Sequence, residues 1–412
     1  MTKPVRRSAV FVFVTVALDA AGIGIIMPVM PDLLRELSGL GIGEAALWGG
    51  YLSFSYALMQ FLFSPAVGSL SDRFGRRPVL LISLAMLCID YLVMALAPNL
   101  FWLFVGRIAA GIAGATYATA TAYIADVTPR EGRAAAFGLV GAGFGVGFVL
   151  GPALGGLMGE LGSRVPFYAA AAVAGLNFIY GWLVLPESLS PDRRRAFDLR
   201  RANPLGAFRQ LAQVPMVALL VGAMFLFSLA HHVYPAIWSF YATAAFDWTK
   251  AEIGLSLAAV GVGFAVVQGG LIRLILQRLG EARTVVAGLA LNVAGMLGLA
   301  FATQGWMAYA LMPVTALGAI VTPALTGLMA NRVPDDAQGE LQGVLSSVQA
   351  VCAVISPLVM TQVFGAFTTG DGWFFPGAPF ALAALIMALA FLPFRAGLHK
   401  GAKTHDEPPQ TH

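Results

Sequence analysis

Stretches of about twenty continuous apolar residues, cut off by short turns that gather nearly all of the charge, recur from one end of this 412-residue chain to the other. Hydrocarbon offers no water to an open backbone N–H or C=O, so continuous apolar runs of this length must close those bonds within helices. With 58% hydrophobic and 11% charged residues and a mean hydropathy of +0.78, the chain is too apolar for a water-soluble domain. An all-α integral membrane protein is therefore expected. The runs place twelve spans near 8–32, 46–70, 77–97, 100–124, 134–158, 164–186, 213–241, 252–275, 283–303, 305–329, 341–366 and 374–396.

The net charge of +4 would also suit a nucleic-acid binder, but its distribution points to a membrane. Of the 25 Lys and Arg residues, only Arg35, Arg164 and Lys250 fall in loops on one side, and Arg107 lies within a span. The others alternate onto the opposite side, which the positive-inside rule makes cytoplasmic, with both termini there. The start, with Lys3, Arg6 and Arg7, resembles a signal-peptide n-region. The run that follows is too long and lacks a small-x-small exit, so it reads as the first span. Cys88 and Cys352 fall inside expected helices and read as packing residues rather than a disulfide or metal pair.

The polar stretch 187–212 divides the chain into an N-terminal bundle, 1–186, and a C-terminal bundle, 213–396, followed by a cytoplasmic tail, 397–412, expected to be disordered. A shift of 205 residues sets Arg73, Gly75, Ala125, Pro129, Gly138 and Pro152 on Arg278, Gly280, Ala330, Pro334, Gly343 and Pro357. The matches fall at turns and kinks, where glycine and proline have backbone reasons to recur. Two parallel six-helix halves of this kind are the transporter architecture in which substrate binds near the midplane.

Three charged residues lie at membrane depth: Asp19 in the first span, Asp90 in the third and Arg107 in the fourth. Each costs about 2.5–3.5 kcal/mol to insert even on the lenient scale, so each needs a partner or a wet cavity. Asp90 with Arg107 could be an ion pair that only fixes packing. Alternatively, Asp19 or Asp90 carries a coupling proton while Arg107 acts as its electrostatic switch, because burial favours a neutral carboxyl and a guanidinium favours a charged one.

Residues 68–81, GSLSDRFGRRPVLL, are too charged for hydrocarbon and too short for a domain, and so form a surface loop. Gly68, Leu70, Asp72, Arg73, Gly75, Arg76 and Arg77 there resemble the signature loop of the major facilitator superfamily. Pairing of the loop charges with helix ends, including Asp126, would make it a cytoplasmic gate latch. The fifth span, with Gly147, Gly151, Pro152, Gly155 and Gly156, resembles the glycine-proline motif of the antiporter branch; close packing of small residues is the plainer reading.

Leu18-Asp19-Ala20, Gly22-Ile23-Gly24, Met27-Pro28-Val29 and Pro31 resemble the first helix of the tetracycline/proton antiporters. The likeness continues through Tyr56 to Gln60, Ser71 to Leu81, Asp90-Tyr91, Arg107, Ile124-Ala125-Asp126 and Gly151-Pro152. In the second half it is carried by Gly254 to Ala258, Gln268, Gly305 to Ala308, Pro323 to Leu325 and Gln338 to Gly343. The resemblance covers the whole chain. It implies the major facilitator fold and export of a drug against protons in the bacterial inner membrane, by a monomer that holds no permanent cofactor. The drug would typically be a tetracycline, carried as its Mg2+ chelate. Asn292 stands where the resembled antiporters carry an acid, Phe264 where they carry a histidine, and Ser228, His231, His232 and Tyr234 where they carry amides, so a cationic chelate loses one expected counter-charge. Gln60, His231, His232, Trp238, Gln268 and Asn292 are the candidate cavity residues.

Uptake or export of another drug or metabolite on the same fold is the alternative, and the direction of transport separates the two. A membrane enzyme would need a nucleophile–His–acid grouping or a haem motif, and an ATP-driven pump a phosphate-binding G-x-x-x-x-G-K-[ST] loop; the chain shows none of these.

Overall fold

The structure is a computed structural model that describes residues 3–114, 116–129, 132–194, 215–334, 337–370 and 372–406. Among the described residues there is no strand. The helices are α1 (Lys3–Ile26), α2 (Met30–Ser38), α3 (Ile42–Phe74), α4 (Arg76–Leu96), α5 (Leu100–Ala113), α6 (Thr116–Val127), α7 (Arg133–Gly159) and α8 (Val165–Val184). After them come α9 (Pro215–His231), α10 (Val233–Phe246), α11 (Lys250–Val266), α12 (Ile272–Ala300), α13 (Gly305–Leu317), α14 (Val321–Ala330), α15 (Gln338–Ala366), α16 (Ala378–Leu389) and α17 (Phe391–Asp406).

Each of the twelve expected spans coincides with helix over most of its described residues, but nine segments among the described residues are long and apolar enough to cross a membrane. Three expected spans make the difference, and the second, on α3, is one that is not among the nine. Residues 250–300 run as one helical segment that Gly280, at φ +71 and ψ 168, breaks in two. The fourth span is interrupted between Ala113 and Thr116, which leaves α5 short. The linker expected over 187–212 lies mostly outside the described residues, as do residues 407–412 of the expected tail.

The chain forms two compact units, one of Met1–Asn203 with Ala242–Val262, the other of Pro204–Tyr241 with Gly263–His412. In the first unit, α1 and α7 pack in a constant register. A Cβ at Gly143, Gly147, Gly151 or Gly155 would strike the backbone at Phe13, Ala17, Ala21 or Ile25 in turn. Both series advance by four, so the two helices run parallel, and the glycine face of α7 lets the backbones touch. Beside this seam, Thr15 and Asn177 tie α1 to α8: the Thr15 hydroxyl donates to Asn177 Oδ1 at 3.2 Å, and Asn177 Nδ2 donates to the Thr15 carbonyl at 3.3 Å. Phe11, Val12, Val16, Leu80, Tyr123 and Ile124 build the surrounding core.

The sequence repeat has a structural counterpart in each unit. Gly75 ends α3 at φ +108 and ψ 162, a conformation close to that of Gly280 and one open to glycine alone at little cost. Pro152 and Pro357 both lie inside helices, α7 and α15. One turn position beyond each glycine, Arg76 pairs with Asp126 at 3.1 Å, whereas Glu281 accepts a hydrogen bond from Asn331 Nδ2 at 2.8 Å. Residues 76 and 126 become 281 and 331 on the same shift of 205, so the second unit keeps the link and changes its charge.

Candidate functional site

The fourth span breaks at Gly114, and a helix end at membrane depth exposes carbonyls that must find donors. Two side chains supply them. Ser83, from α4, donates its hydroxyl to the Ala113 carbonyl at 2.6 Å, and Gln60, from α3, donates Nε2 to the Gly114 carbonyl at 2.6 Å. A cavity of about 120 Å³ opens where these helices meet α1 and α7; Asp19, Tyr56, Gln60, Ser83 and Gly114 line it, with Phe144 as an apolar wall.

Asp19 is half-buried and makes no ion pair among the described residues. The parallel seam holds it in place, because it lies between Ala17 and Ala21, which are fixed against Gly147 and Gly151. The carbonyl end of α5 carries the negative pole of its helix and lies on the same cavity. A carboxylate and a helix C-terminus together make a site for a proton or another cation.

Asp90 behaves differently. Its side chain is 1% exposed and forms an ion pair with Arg107, with Arg107 Nε also donating to Asp90 Oδ1 at 3.3 Å. Gly106 makes room, since a Cβ there would lie 2.7 Å from Asp90 Oδ1. The guanidinium of Arg107 sits 5.0 Å from the centroid of the Tyr56 ring, and Tyr56 borders the Asp19 cavity. The buried pair thus meets the cavity through one aromatic ring.

At the end of α3, Arg76 joins Asp72 at 2.7 Å and Asp126 at 3.1 Å, and donates to the Ser71 hydroxyl at 3.1 Å. Glu187 completes this cluster. Its carboxylate accepts the backbone N–H of Arg76 at 2.8 Å and of Arg77 at 3.2 Å, capping the start of α4. Arg73 lies over the Phe74 ring, 5.1 Å from its centroid, and a Cβ at Gly68 would meet nothing within 4 Å.

A comparison of the whole sequence decides the family. The family model described as Major Facilitator Superfamily matches residues 12–357 and 222–411. The chain belongs to the major facilitator superfamily. Within the superfamily it is 42% identical over 398 residues to the tetracycline resistance protein, class C, of Escherichia coli, covering 96% of this chain and 98% of that relative. It is 41% identical to the class G protein of Vibrio anguillarum, over 89% and 93% of the two chains. The solved structure of the nucleoside transporter NupG shares the fold, with a TM-score of 0.76 at 13% identity over 96% of this chain and 99% of that one. As a major facilitator protein the chain is a multi-pass membrane transporter rather than an enzyme.

The second unit holds the other candidate residues of this superfamily member. Trp238 is buried, 6.0 Å from Tyr241 and 6.3 Å from Phe380 between ring centroids. Asn292 is fully buried, and its Nδ2 donates to the carbonyls of Gly288 and Gly318, both at 2.9 Å. His232 is engaged through Nδ1 with the Ser228 carbonyl at 2.7 Å. His231 stacks on Phe227 at 5.4 Å and meets Tyr234 at 5.3 Å and Phe264 at 6.2 Å. Its Nδ1 and the Tyr234 hydroxyl are buried without hydrogen-bond partners among the described residues. Gln268 is exposed in a π-helical turn, Val267–Leu271, a distortion frequent at functional sites.

Several contributors escape a reading by motif. Ser83 lies in an apolar run like many other polar residues, and only the break at Gly114 gives it work. Glu187 follows α8 as one acid of a polar stretch. Asp32 pairs with Lys250 at 2.9 Å, and Glu36 pairs with Arg164 at 3.0 Å; charges at span ends were the available signal, but nothing in the sequence joins them.

Proposed function

We propose that this protein exports a tetracycline-like drug in exchange for protons, with Asp19 as the proton carrier. The observation that carries this reading is the Asp19 cavity: a carboxyl without an ion-pair partner among the described residues shares it with the carbonyl end of α5. A proton on Asp19 and a cationic cargo compete for the same negative surroundings, so arrival of one favours departure of the other. Asp90 and Arg107 form a fixed pair whose field reaches the cavity beside Tyr56. The names of the class C and class G relatives support tetracycline as cargo, taken as its Mg2+ chelate, in which the ion is part of the substrate.

On this reading the protein is a monomer in the bacterial inner membrane, with both termini cytoplasmic, as the charge alternation supports. Bundles 1–186 and 213–396 alternate the access of the site, and Asp72, Arg76 and Asp126 latch the cytoplasmic gate. Gly147, Gly151, Pro152 and Gly155 hold the fifth span close to the first, and a Cβ at Gly156 would strike the Lys250 backbone.

One observation favours another cargo on the same fold. Asn292 offers an amide, already bonded to two carbonyls, where a cationic chelate would use an acid. An efflux-deficient bacterial host expressing the chain separates the readings. A several-fold rise in the inhibitory concentration of tetracycline, lost in Asp19→Asn, supports tetracycline export; an unchanged value with normal membrane levels of the protein refutes it.

A further inference from the structure

A second cavity, of about 620 Å³, lies where the start of α4 approaches the end of α8, and neither the proton site nor the latch uses its interior. Arg77, Glu187 and Arg194 lie at its helix-terminal end, while Leu81, Ile82 and Phe178 line it one to three turns deeper. The wall faces outward: Ile82 and Trp182 are each 60% exposed. In a membrane-spanning chain such apolar side chains meet lipid, and a tryptophan near a helix end suits the interface.

The polar end carries unspent positive charge. Arg77 donates one terminal nitrogen to the Trp182 carbonyl at 2.8 Å, but its Nε is buried with no hydrogen-bond partner among the described residues. Arg194 is exposed and makes no ion pair among the described residues. Glu187 does not answer either guanidinium through a salt bridge; its carboxylate is occupied by the backbone N–H groups of Arg76, Arg77, Ser188 and Leu189. An occupant must therefore bring an anion able to accept several N–H bonds, attached to an apolar chain that lies along Leu81 and Ile82. An anionic phospholipid has both parts, and guanidinium groups match its phosphate oxygens.

We propose that this groove binds an anionic phospholipid, with the headgroup phosphate between Arg77 and Arg194 and an acyl chain along α4 and α8. Bound lipid then steadies the turn of α4 whose preceding residue, Arg76, forms the latch with Asp72 and Asp126.

Native mass spectrometry of the full chain in detergent tests the site, with phosphatidylglycerol, phosphatidylcholine of the same acyl chains, and soluble glycerol phosphate as probes. Phosphatidylglycerol should bind at least ~fivefold more tightly than phosphatidylcholine, and Arg194→Gln should remove about fivefold of that preference, the weight of one basic residue at a membrane surface. Ala85→Phe, which fills the apolar wall, should weaken both lipids. Equal binding of the two lipids, or a preference untouched by Arg194→Gln, overturns the proposal. Displacement of phosphatidylglycerol by an equal concentration of glycerol phosphate also overturns it, because the site would then read phosphate alone. If Ala85→Phe lowers the melting temperature of the lipid-free protein, the exposed Arg194→Gln carries the test.

Discussion

Asp19 and Asp90 are both acids at membrane depth, yet their neighbours give them different work. Asp90 is consumed by Arg107, and removing one partner of a buried pair leaves the other charge uncompensated. Asp90→Asn should therefore lower unfolding stability by ~3 kcal/mol, while Asp90→Asn with Arg107→Gln should recover part of the loss; denaturation of the purified variants in detergent checks both. Asn292 invites the opposite change. Both of its N–H donors are held by carbonyls, so Asn292→Asp places a carboxylate oxygen against at least one carbonyl oxygen. The expected cost is ~2 kcal/mol, read in the same denaturation experiment, and an unchanged stability would mean that the pocket around residue 292 rearranges. The three charges Asp19, Asp90 and Arg107 were legible because any charge stands out in an apolar run. The amide of Asn292 did not reveal its two carbonyl acceptors, which come from its own helix one turn back and from a segment 26 residues away.

Among the elements, the α1–α7 seam is where sequence and structure agree most closely. The glycines of the fifth span repeat by fours, and that repeat is the contact itself. Gly155→Ala should cost about 1–3 kcal/mol by overpacking, because its Cβ would meet the Ile25 backbone. Gly145→Ala, between the seam glycines Gly143 and Gly147 but on the other side of α7, where a Cβ would meet nothing within 4 Å, should be neutral or slightly stabilising. Equal effects of the two changes on thermal stability would contradict the seam. The cavity end of α5 was not legible in the same way. The string GIAGAT at 111–116 reads as an ordinary small-residue stretch, and only the companions Ser83 and Gln60 from other helices show that the helix stops there.

For the molecule as a whole, the repeat at 205 residues is preserved in backbone more than in chemistry. Gly75 and Gly280 keep one unusual conformation, and the contact that follows is an ion pair in one unit and an amide–carboxylate hydrogen bond in the other. The sequence could show the repeated glycine, because a positive φ selects it; it could not show the repeated contact, because Glu281 and Asn331 share neither charge nor size with Arg76 and Asp126. Function is correspondingly uneven, with the membrane-depth carboxylates confined to the first unit among the described residues of the expected spans. The central claim, that Asp19 carries the coupling proton, is tested most directly in proteoliposomes containing purified protein and a pH-sensitive dye, with a tetracycline gradient imposed across the membrane. The account predicts drug-driven proton movement by the wild type and none above protein-free liposomes for Asp19→Asn, and proton movement by Asp19→Asn at the wild-type rate would contradict it.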